Sequence, residues 1–255
     1  MEVESVLVTG ANRGIGLEFV RQLVKLDKPP KLVFATYRNE TSIQTLQKIK
    51  EESDQTEVIL IKMDIRNAND IDSAQKAVEE RVRDKGLNLL INNAGVLKHQ
   101  GFPEITEENL LFHFTTNTIG PVMVLKKMLP LLQRAAIHKT TGMCISRSAV
   151  LNLSSTLGCI TTAMDEVFSE FLSVMGYRVS KMALNMAMRI AAFKIKEQGI
   201  LIVNMCPGWV KTDMGTDRAL IEVEESVSDM IKTLPELNES HHGSYLDRNG
   251  KVINF

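Results

Sequence analysis

A tyrosine and a lysine four residues apart, Tyr177 and Lys181, offer the clearest chemistry in this sequence. The stretch around them is predicted to be helical, and at this spacing two side chains share one helix face with Cβ atoms about 5–6 Å apart. A lysine charge that close favours ionisation of the phenol, whose ordinary pKa is near 10, so that it can donate and accept a proton nearer neutral pH. A solvated helix surface is the alternative, and the rest of the chain decides between them.

The N-terminal stretch has the order strand, glycine turn, helix. The apolar run Ser5–Thr9 predicts a strand, three glycines follow between Gly10 and Gly16, and residues 17–26 repeat apolar positions at helical spacing. Glycines let the backbone approach a pyrophosphate closely, and the helix N-terminus presents free N–H groups to it. The spacing G-x-x-x-G-x-G departs from the familiar G-x-G-x-x-G, so a plain glycine-rich turn is the alternative.

The second predicted strand, residues 31–37, ends next to Arg38. Dinucleotide folds commonly carry an acidic residue here for the ribose 2′-hydroxyl, whereas an arginine can accommodate a 2′-phosphate. Arg13 in the glycine turn adds a second guanidinium, and each can form charge-assisted bonds to phosphate. The sequence therefore favours NADPH over NADH, with two solvated surface arginines as the alternative.

The remaining chain continues to alternate strands with helices. Strands are predicted at 57–63, 87–91, 148–153, 199–205 and 244–246, and helices at 42–52, 70–85, 106–136 and 222–233. The third of these helices is expected to be interrupted at Gly120-Pro121 and at Pro130, and a polar connection is expected from Arg134 to Arg147. This alternation predicts a single-domain, doubly wound (Rossmann) α/β fold over residues 1–255, with about seven parallel strands covered by helices on both faces.

Composition and charge narrow the class of protein. The 255 residues are 44% hydrophobic and 24% charged, as in ordinary soluble globular proteins. A net charge of −1 gives no electrostatic argument for nucleic acid or an acidic membrane surface. Three cysteines without a C-x-x-C pair argue against a disulfide framework or a zinc site, and no signal peptide or long apolar run is found. We expect a cytoplasmic protein with a small-molecule partner and no metal.

Motifs along nearly the whole chain resemble those of the classical short-chain dehydrogenase/reductase family. They are Thr9-Gly10-x-x-x-Gly14-x-Gly16, Asp64, Asn92-Asn93-Ala94-Gly95, Asn117, Ser155, Tyr177-x-x-x-Lys181 and Pro207-Gly208-x-Val210-x-Thr212. The phrases at residues 8–16, 90–96 and 206–214 are most similar to sniffer-like carbonyl reductases. The family and this branch of it are therefore our prediction.

The resemblance implies roles for the matching residues. Tyr177 would donate a proton to a substrate carbonyl, Ser155 would hold its oxygen, Lys181 would lower the pKa of Tyr177 and hold the nicotinamide ribose, and Asn117 would complete a water-linked proton path. The implied contacts to NADP(H) are Tyr177, Lys181, Gly10, Arg13, Gly14, Ile15, Arg38, Asp64, Ile65, Asn92, Pro207, Gly208, Val210 and Thr212. Of these, Arg38 would read the 2′-phosphate, and Asp64 and Ile65 would meet the adenine. Sequence physics alone does not separate Ser154 from Ser155, and no histidine or cysteine is given a role.

The implied activity is NADPH-dependent reduction of aldehyde, ketone or quinone carbonyls. A hydroxysteroid dehydrogenase is the rival among enzymes, and an NADPH-sensing binding protein without catalysis is the rival from another class. The complete set of four catalytic residues argues against the sensor, because a sensor needs no proton donor.

The distance from Ser155 to Tyr177 is wider than in the common family pattern. The extra residues, 159–175, carry apolar side chains beside acidic ones: Met164, Phe168, Phe171 and Met175 with Asp165, Glu166 and Glu170. They predict a partly apolar lid at the substrate mouth, with a helical insertion packed elsewhere as the alternative. Trp209 and Met214 are also expected near the substrate. The family often pairs through the helices carrying Asn117 and Tyr177, which favours a homodimer. Insertions beside the active site can block that pairing in carbonyl reductases, so a monomer is the alternative.

Overall fold

Seven parallel strands form one sheet in the order β3-β2-β1-β4-β5-β6-β7. The computed structural model describes residues 2–138, 142–163, 165 and 171–255. The strands are β1 (Ser5–Val8), β2 (Leu32–Tyr37), β3 (Glu57–Lys62), β4 (Leu89–Asn92), β5 (Ala149–Leu153), β6 (Leu201–Cys206) and β7 (Tyr245–Asp247). The strand order reverses between β1 and β4, and open α/β sheets bind ligands at such a point, outside the carboxyl ends of the strands. The predicted doubly wound fold is confirmed.

Helices cover both faces of the sheet because successive strand side chains point to opposite sides. They are α1 (Gly14–Leu23), α2 (Gln44–Glu52), α3 (Ala68–Val82), α4 (Glu107–Phe114), α5 (Gly120–Ile137), α6 (Met175–Lys194) and α7 (Val223–Thr233). Val6 and Val8 of β1 join one apolar cluster with Phe19 of α1, whereas Leu7 joins the cluster on the other face. Burying each such side chain contributes about 1.5–3 kcal/mol, so the apolar strands fix the sheet between two helical layers. No helix within the described ranges has the length and apolar character that crossing a bilayer requires.

The predicted interruptions of the long helix at Gly120-Pro121 and Pro130 are wrong. The chain continues from α4 through a π-helical turn, Thr115–Ile119, directly into α5, which ends at Ile137 rather than giving way to a loop at Arg134. Pro121 occupies the first turn of α5, where a missing N–H is tolerated because the wider turn before it already departs from the helical bonding pattern. Pro130 is exposed, while Met128 and Leu131 beside it are fully buried and hold the helix on the sheet.

Candidate active site

Three of the predicted catalytic side chains meet where β5 ends. Helix α6 carries Tyr177 and Lys181, and both are buried, with 8% and 5% of their surface exposed. The Lys181 ammonium donates a hydrogen bond to the carbonyl oxygen of Leu153, the last residue of β5, at 2.8 Å. It lies 5.7 Å from the centre of the Tyr177 ring. Ser155, two residues beyond the strand, lies close enough to the Tyr177 phenol to lower its pKa. The strand end and the first turns of α6 thus place a serine hydroxyl, a phenol and an ammonium together.

The structure separates the two adjacent serines that the sequence left equivalent. The Ser155 hydroxyl faces Tyr177 and also accepts a hydrogen bond from the Leu157 amide at 3.2 Å, which orients the short helical turn that follows. The Ser154 side chain is 3% exposed, and its hydroxyl has no hydrogen-bond partner within the part of the chain that the structure describes. Ser155 is therefore the hydroxyl that a substrate oxygen beside Tyr177 can reach.

Burial, rather than the Lys181 charge, is the main influence on the pKa of Tyr177 in this structure, so the expected lowering by Lys181 stays a prediction. Burial of the phenol raises the pKa of Tyr177 to about 12, and the nearby Ser155 hydroxyl offsets only part of that effect. Burial also lowers the pKa of Lys181 to about 8, because an ammonium loses hydration in the interior. Desolvation is the largest cause of both shifts. Tyr177 therefore keeps its proton at neutral pH, which is the form a proton donor needs.

Asn117 lies inside the π-helical turn and is fully buried. Its amide group donates to the Val96 carbonyl at 3.0 Å and accepts from the Val96 amide at 2.9 Å, and it also donates to the Ser180 hydroxyl at 3.0 Å. A Cβ placed on Gly95 would lie 3.4 Å from Asn117 Oδ1 and 3.7 Å from Lys181 Nζ, so both groups border this glycine. Because Pro121, four residues on, has no N–H, the Asn117 carbonyl cannot receive the regular helical hydrogen bond.

The glycine turn has the shape that a pyrophosphate site requires. Gly10 and Gly14 have φ values of +64° and +54°, which favour glycine. A Cβ on Gly16 would lie 2.4 Å from Asn93 Nδ2 and 2.5 Å from the Gly10 carbonyl oxygen, so a side chain there would break the contact between this turn and the segment after β4. Helix α1 starts at Gly14 with no side-chain cap and no acidic residue in its first turn. Its first N–H groups, including that of Ile15, are therefore available to an anion.

The two arginines proposed for the 2′-phosphate have different surroundings. Arg13 forms an ion pair with Asp213, which follows β6. Arg38 is exposed, and no hydrogen bond or ion pair to it is found among the described residues, although its charge helps to lower the pKa of Asp64. The main cause of that lowered pKa is the hydrogen-bonded ion pair between Asp64 and Arg66, at 2.6 Å. Arg38 thus stands beside an already neutralised carboxylate and remains available to a phosphate.

The other predicted cofactor residues have varied surroundings. Thr212 lies against the glycine turn, because a Cβ on Gly14 would be 3.4 Å from its methyl group. Asn92 turns its side chain into the sheet, where it donates to Asn152 at 2.8 Å, so its backbone is what remains for a ribose. Ile65 is buried against Gly120 at the start of α5. The Pro207-Gly208 turn is fixed by a bond of 2.7 Å from the Ser226 hydroxyl to the Pro207 carbonyl, and Val210 pairs with Ile221.

Comparison with known proteins places this arrangement in a family. The model of the short chain dehydrogenase family matches residues 4–220. The chain belongs to the short-chain dehydrogenase family. This confirms the family predicted from the motifs and agrees with the position of the glycine turn at the switch point of the sheet.

Two solved structures of this family superpose closely on the chain. NADPH-bound carbonyl reductase from chicken fatty liver is 39% identical, with a TM-score of 0.94 over 100% of this chain and 95% of that one. Carbonyl reductase Sniffer of Drosophila melanogaster is 34% identical, with a TM-score of 0.93 over 99% and 100%. Human carbonyl reductase 1, named for NADPH, is 26% identical over 96% of both chains. The predicted likeness to sniffer-like carbonyl reductases is confirmed.

Two features of this short-chain dehydrogenase were not predicted from its sequence. His113 is fully buried, and its ring lies edge-on to Tyr177 with 6.4 Å between ring centroids. A histidine in a helical pattern carries no signal of such a contact. In addition, Phe171 packs edge-on against Trp209 at 5.2 Å, and the Trp209 indole donates to the Gly215 carbonyl at 2.8 Å. An aromatic residue in the sequence predicts burial but does not predict which side chain it will contact.

Proposed function

We propose that the protein reduces aldehyde, ketone or quinone carbonyls with NADPH. The observation that carries this proposal is the buried Tyr177 phenol beside Ser155, next to the Lys181 ammonium at the end of β5. The NADPH bound to the similar chicken carbonyl reductase supports the choice of cofactor.

The four polar residues divide the chemistry between them. When bound, NADPH supplies the hydride that reaches the carbonyl carbon. Negative charge then grows on the carbonyl oxygen, where Ser155 and Tyr177 provide two converging O–H donors, and Tyr177 transfers its proton. Lys181, held by Leu153, provides a positive charge beside the tyrosinate that remains. Asn117 keeps a carbonyl free of its helical hydrogen bond, which suits a water-linked path that returns a proton toward Lys181.

The residues fit the cofactor from its adenine end to its nicotinamide end. The glycine turn and the first N–H groups of α1 would hold the pyrophosphate, and Arg38 would hold the 2′-phosphate. Asp64, Ile65 and the backbone of Asn92 would border the adenosine. The segment from Pro207 to Thr212, together with Tyr177 and Lys181, would border the nicotinamide ribose. A small-molecule carbonyl is then the remaining partner, and a cytoplasmic location stays a prediction.

A single assay tests the function. The purified chain is mixed with NADPH and, in turn, a diketone, a quinone, an aldehyde and a steroid ketone, and the loss of NADPH absorbance is followed. We expect turnover of the small reactive carbonyls. A marked preference for the steroid ketone would favour a hydroxysteroid dehydrogenase, and NADPH binding without turnover of any carbonyl would favour a sensor.

We also propose that the insertion between Ser155 and Tyr177 contributes to substrate selection. Met164, Glu166, Phe168 and Glu170 lie outside the described residues, but both ends of the insertion are described. At its far end Phe171 packs on Trp209, and Leu172 beside it is exposed. At its near end the Arg178 side chain donates to the carbonyls of Leu157 and Thr162, which fastens this end to α6. The ends thus lie beside the catalytic helix and the segment that follows β6.

Replacing Phe171 with alanine is expected to change the ranking of carbonyl substrates. Loss of the edge-on contact, about 0.5–1.5 kcal/mol, should change kcat/KM for bulky ketones by about 2- to 10-fold and affect small aldehydes less, because only bulky substrates reach the aromatic pair. Specificity constants for both classes provide the measurement. Ile137→Ala, at an exposed apolar position at the end of α5, is the control. An unchanged ranking in folded Phe171→Ala protein would remove the lid from the proposal.

A homodimer is also expected, through the outer face of α6 and the π-helical turn. Large apolar side chains are exposed there: Ile119, Val179, Met186, Ile190 and Phe193, the last at 84%. Several large exposed apolar side chains along one helix are typical of an interface. Sedimentation equilibrium should give about twice the chain mass of 28.5 kDa, and Phe193→Glu should reduce the dimer fraction. A monomer at all concentrations tested would contradict the expectation.

A further inference from the structure

His113 on α4 is a fully buried titratable side chain to which the proposed mechanism gives no role. Its ring lies between three parts of the protein: its own helix, the segment that follows β4, and the start of α6. Buried imidazoles need hydrogen-bond partners on both ring nitrogens, so its surroundings define its chemical state.

Two backbone groups fix the tautomer of His113. The Lys98 amide donates to Nε2 at 3.0 Å, and Nδ1 lies 2.8 Å from the Asn109 carbonyl oxygen. An amide N–H can only donate and a carbonyl can only accept, so Nδ1 carries the proton and Nε2 is the acceptor. Burial lowers the pKa of His113, and the Lys98 charge, the nearest cation on the segment after β4, adds to this effect. The two hydrogen bonds therefore fit the neutral imidazole.

His113 and Asn117 hold the same backbone segment from one helix face. They are four residues apart, and Asn117 bonds both the amide and the carbonyl of Val96 while His113 bonds the amide of Lys98. This segment begins at Gly95, which borders Lys181 Nζ. It then continues to Gln100, which pairs with Val174 just before α6. Three hydrogen bonds thus set the position of one wall beside the catalytic groups.

The His113 side chain packs closely against the start of α6. The Tyr177 ring lies edge-on to the imidazole at an interplanar angle of 78°. A Cβ on the neighbouring Gly176 would lie 2.7 Å from His113 Nδ1 and 2.5 Å from Asn109 Oδ1, so the helix backbone approaches as closely as a glycine allows. A displaced imidazole would therefore shift the first turn of α6, which carries Gly176 and Tyr177.

We propose that His113 is a positioning residue for the carbonyl reduction. Through its bond to the Lys98 amide, His113 sets the Val96–Lys98 segment against Tyr177. This inference rests on the proposed function, because its readout is the rate of that reaction. His113 itself touches neither the reacting atoms nor the proton that is transferred, so its loss should affect kcat and leave the KM for NADPH unchanged.

Two conservative variants separate this role from simple packing. In His113→Gln the amide oxygen can occupy the place of Nε2 and accept from Lys98, whereas the shorter side chain of His113→Asn can reach only the Asn109 carbonyl. We expect kcat to fall about 10- to 100-fold in His113→Asn, the scale typical of misplacement by about 1 Å, and to stay within a few-fold of wild type in His113→Gln. Equal losses in both variants, or normal kcat in His113→Asn, would overturn the proposal.

Nuclear magnetic resonance of the wild-type protein provides a test that needs no variant. The nitrogen shifts of His113 should show the Nδ1–H tautomer, and the Lys98 amide should be protected from hydrogen exchange at neutral pH. Protonation of His113 makes both ring nitrogens donors, so the Lys98 amide should lose its protection from exchange in acid, at a pH below the ordinary histidine pKa. The titratable groups that face the ring are Lys98 and the Tyr177 phenol. An Nε2–H tautomer or an unprotected Lys98 amide would refute the role of His113. A wild-type enzyme that reduces no carbonyl would refute the proposed function instead.

Discussion

Replacing Tyr177 with phenylalanine is expected to lower kcat by about 10²- to 10⁴-fold, the range of a lost general acid. The substitution removes one hydroxyl and keeps the ring that packs against His113. Ser155 and Lys181 remain, but neither stands in for a neutral phenol that can transfer its proton to the substrate oxygen. NADPH binding should be preserved, because the phenol contributes little to the contacts of the glycine turn. Steady-state rates and NADPH fluorescence titration measure the two quantities separately.

The pH dependence of the wild type adds a second readout for the same residue. With the pKa of Tyr177 raised to about 12 by burial, the donor stays protonated from about pH 6 to 9, and reduction should not lose its acid in that range. The adjacent serines provide the matched pair of controls: Ser155→Ala should reduce kcat, whereas Ser154→Ala should not, because the Ser154 hydroxyl is buried without a partner in the described structure. Substantial turnover by Tyr177→Phe with normal NADPH binding would contradict the assigned proton donor.

The sequence predicts the fold well because its strands are buried on both faces. Runs such as residues 5–8 and 149–153 are apolar throughout, and the observed strands lie within about two residues of the predicted ones. The predicted interruptions of the long helix at its two prolines are wrong. The π-helical turn before Pro121 keeps α4 and α5 continuous, and that depends on how the turn packs against Ser180 and Val96, which no local pattern records.

The sequence names the residues of the candidate site, whose roles stay predictions, but it does not give the pKa shifts of those residues. The spacing of Tyr177 and Lys181 establishes that they share a helix face, yet the balance between the lysine charge and desolvation depends on how deeply the fold buries both groups. The choice between Ser154 and Ser155 likewise depends on which side chains surround each hydroxyl after the end of β5. His113 has no sequence signal, because its partners are backbone atoms of a segment about fifteen residues away and a ring on another helix. Local patterns report burial, while tertiary contacts decide which atoms meet.

Replacing Arg38 with aspartate is expected to transfer cofactor preference from NADPH to NADH. Charge-assisted hydrogen bonds contribute about 1.5–3 kcal/mol each, so losing those to the 2′-phosphate should reduce kcat/KM for NADPH by about 10- to 100-fold. A carboxylate at this position also repels the phosphate and can accept from a 2′-hydroxyl, which should raise kcat/KM for NADH. The ratio of the two specificity constants is the measurement.

The structure indicates why Arg38 should matter more than the other arginine at this end of the cleft. Arg13 already pairs with Asp213, whereas Arg38 has no acceptor within the described ranges and stands beside Asp64, whose charge Arg66 compensates. Arg81→Asp is the control for the change in charge: Arg81 pairs with Glu57 at the start of β3, on the edge of the sheet opposite the cleft. Because the two substitutions change net charge equally, a shift in preference confined to Arg38→Asp would assign phosphate recognition to that guanidinium. A wild-type enzyme that already prefers NADH would contradict it.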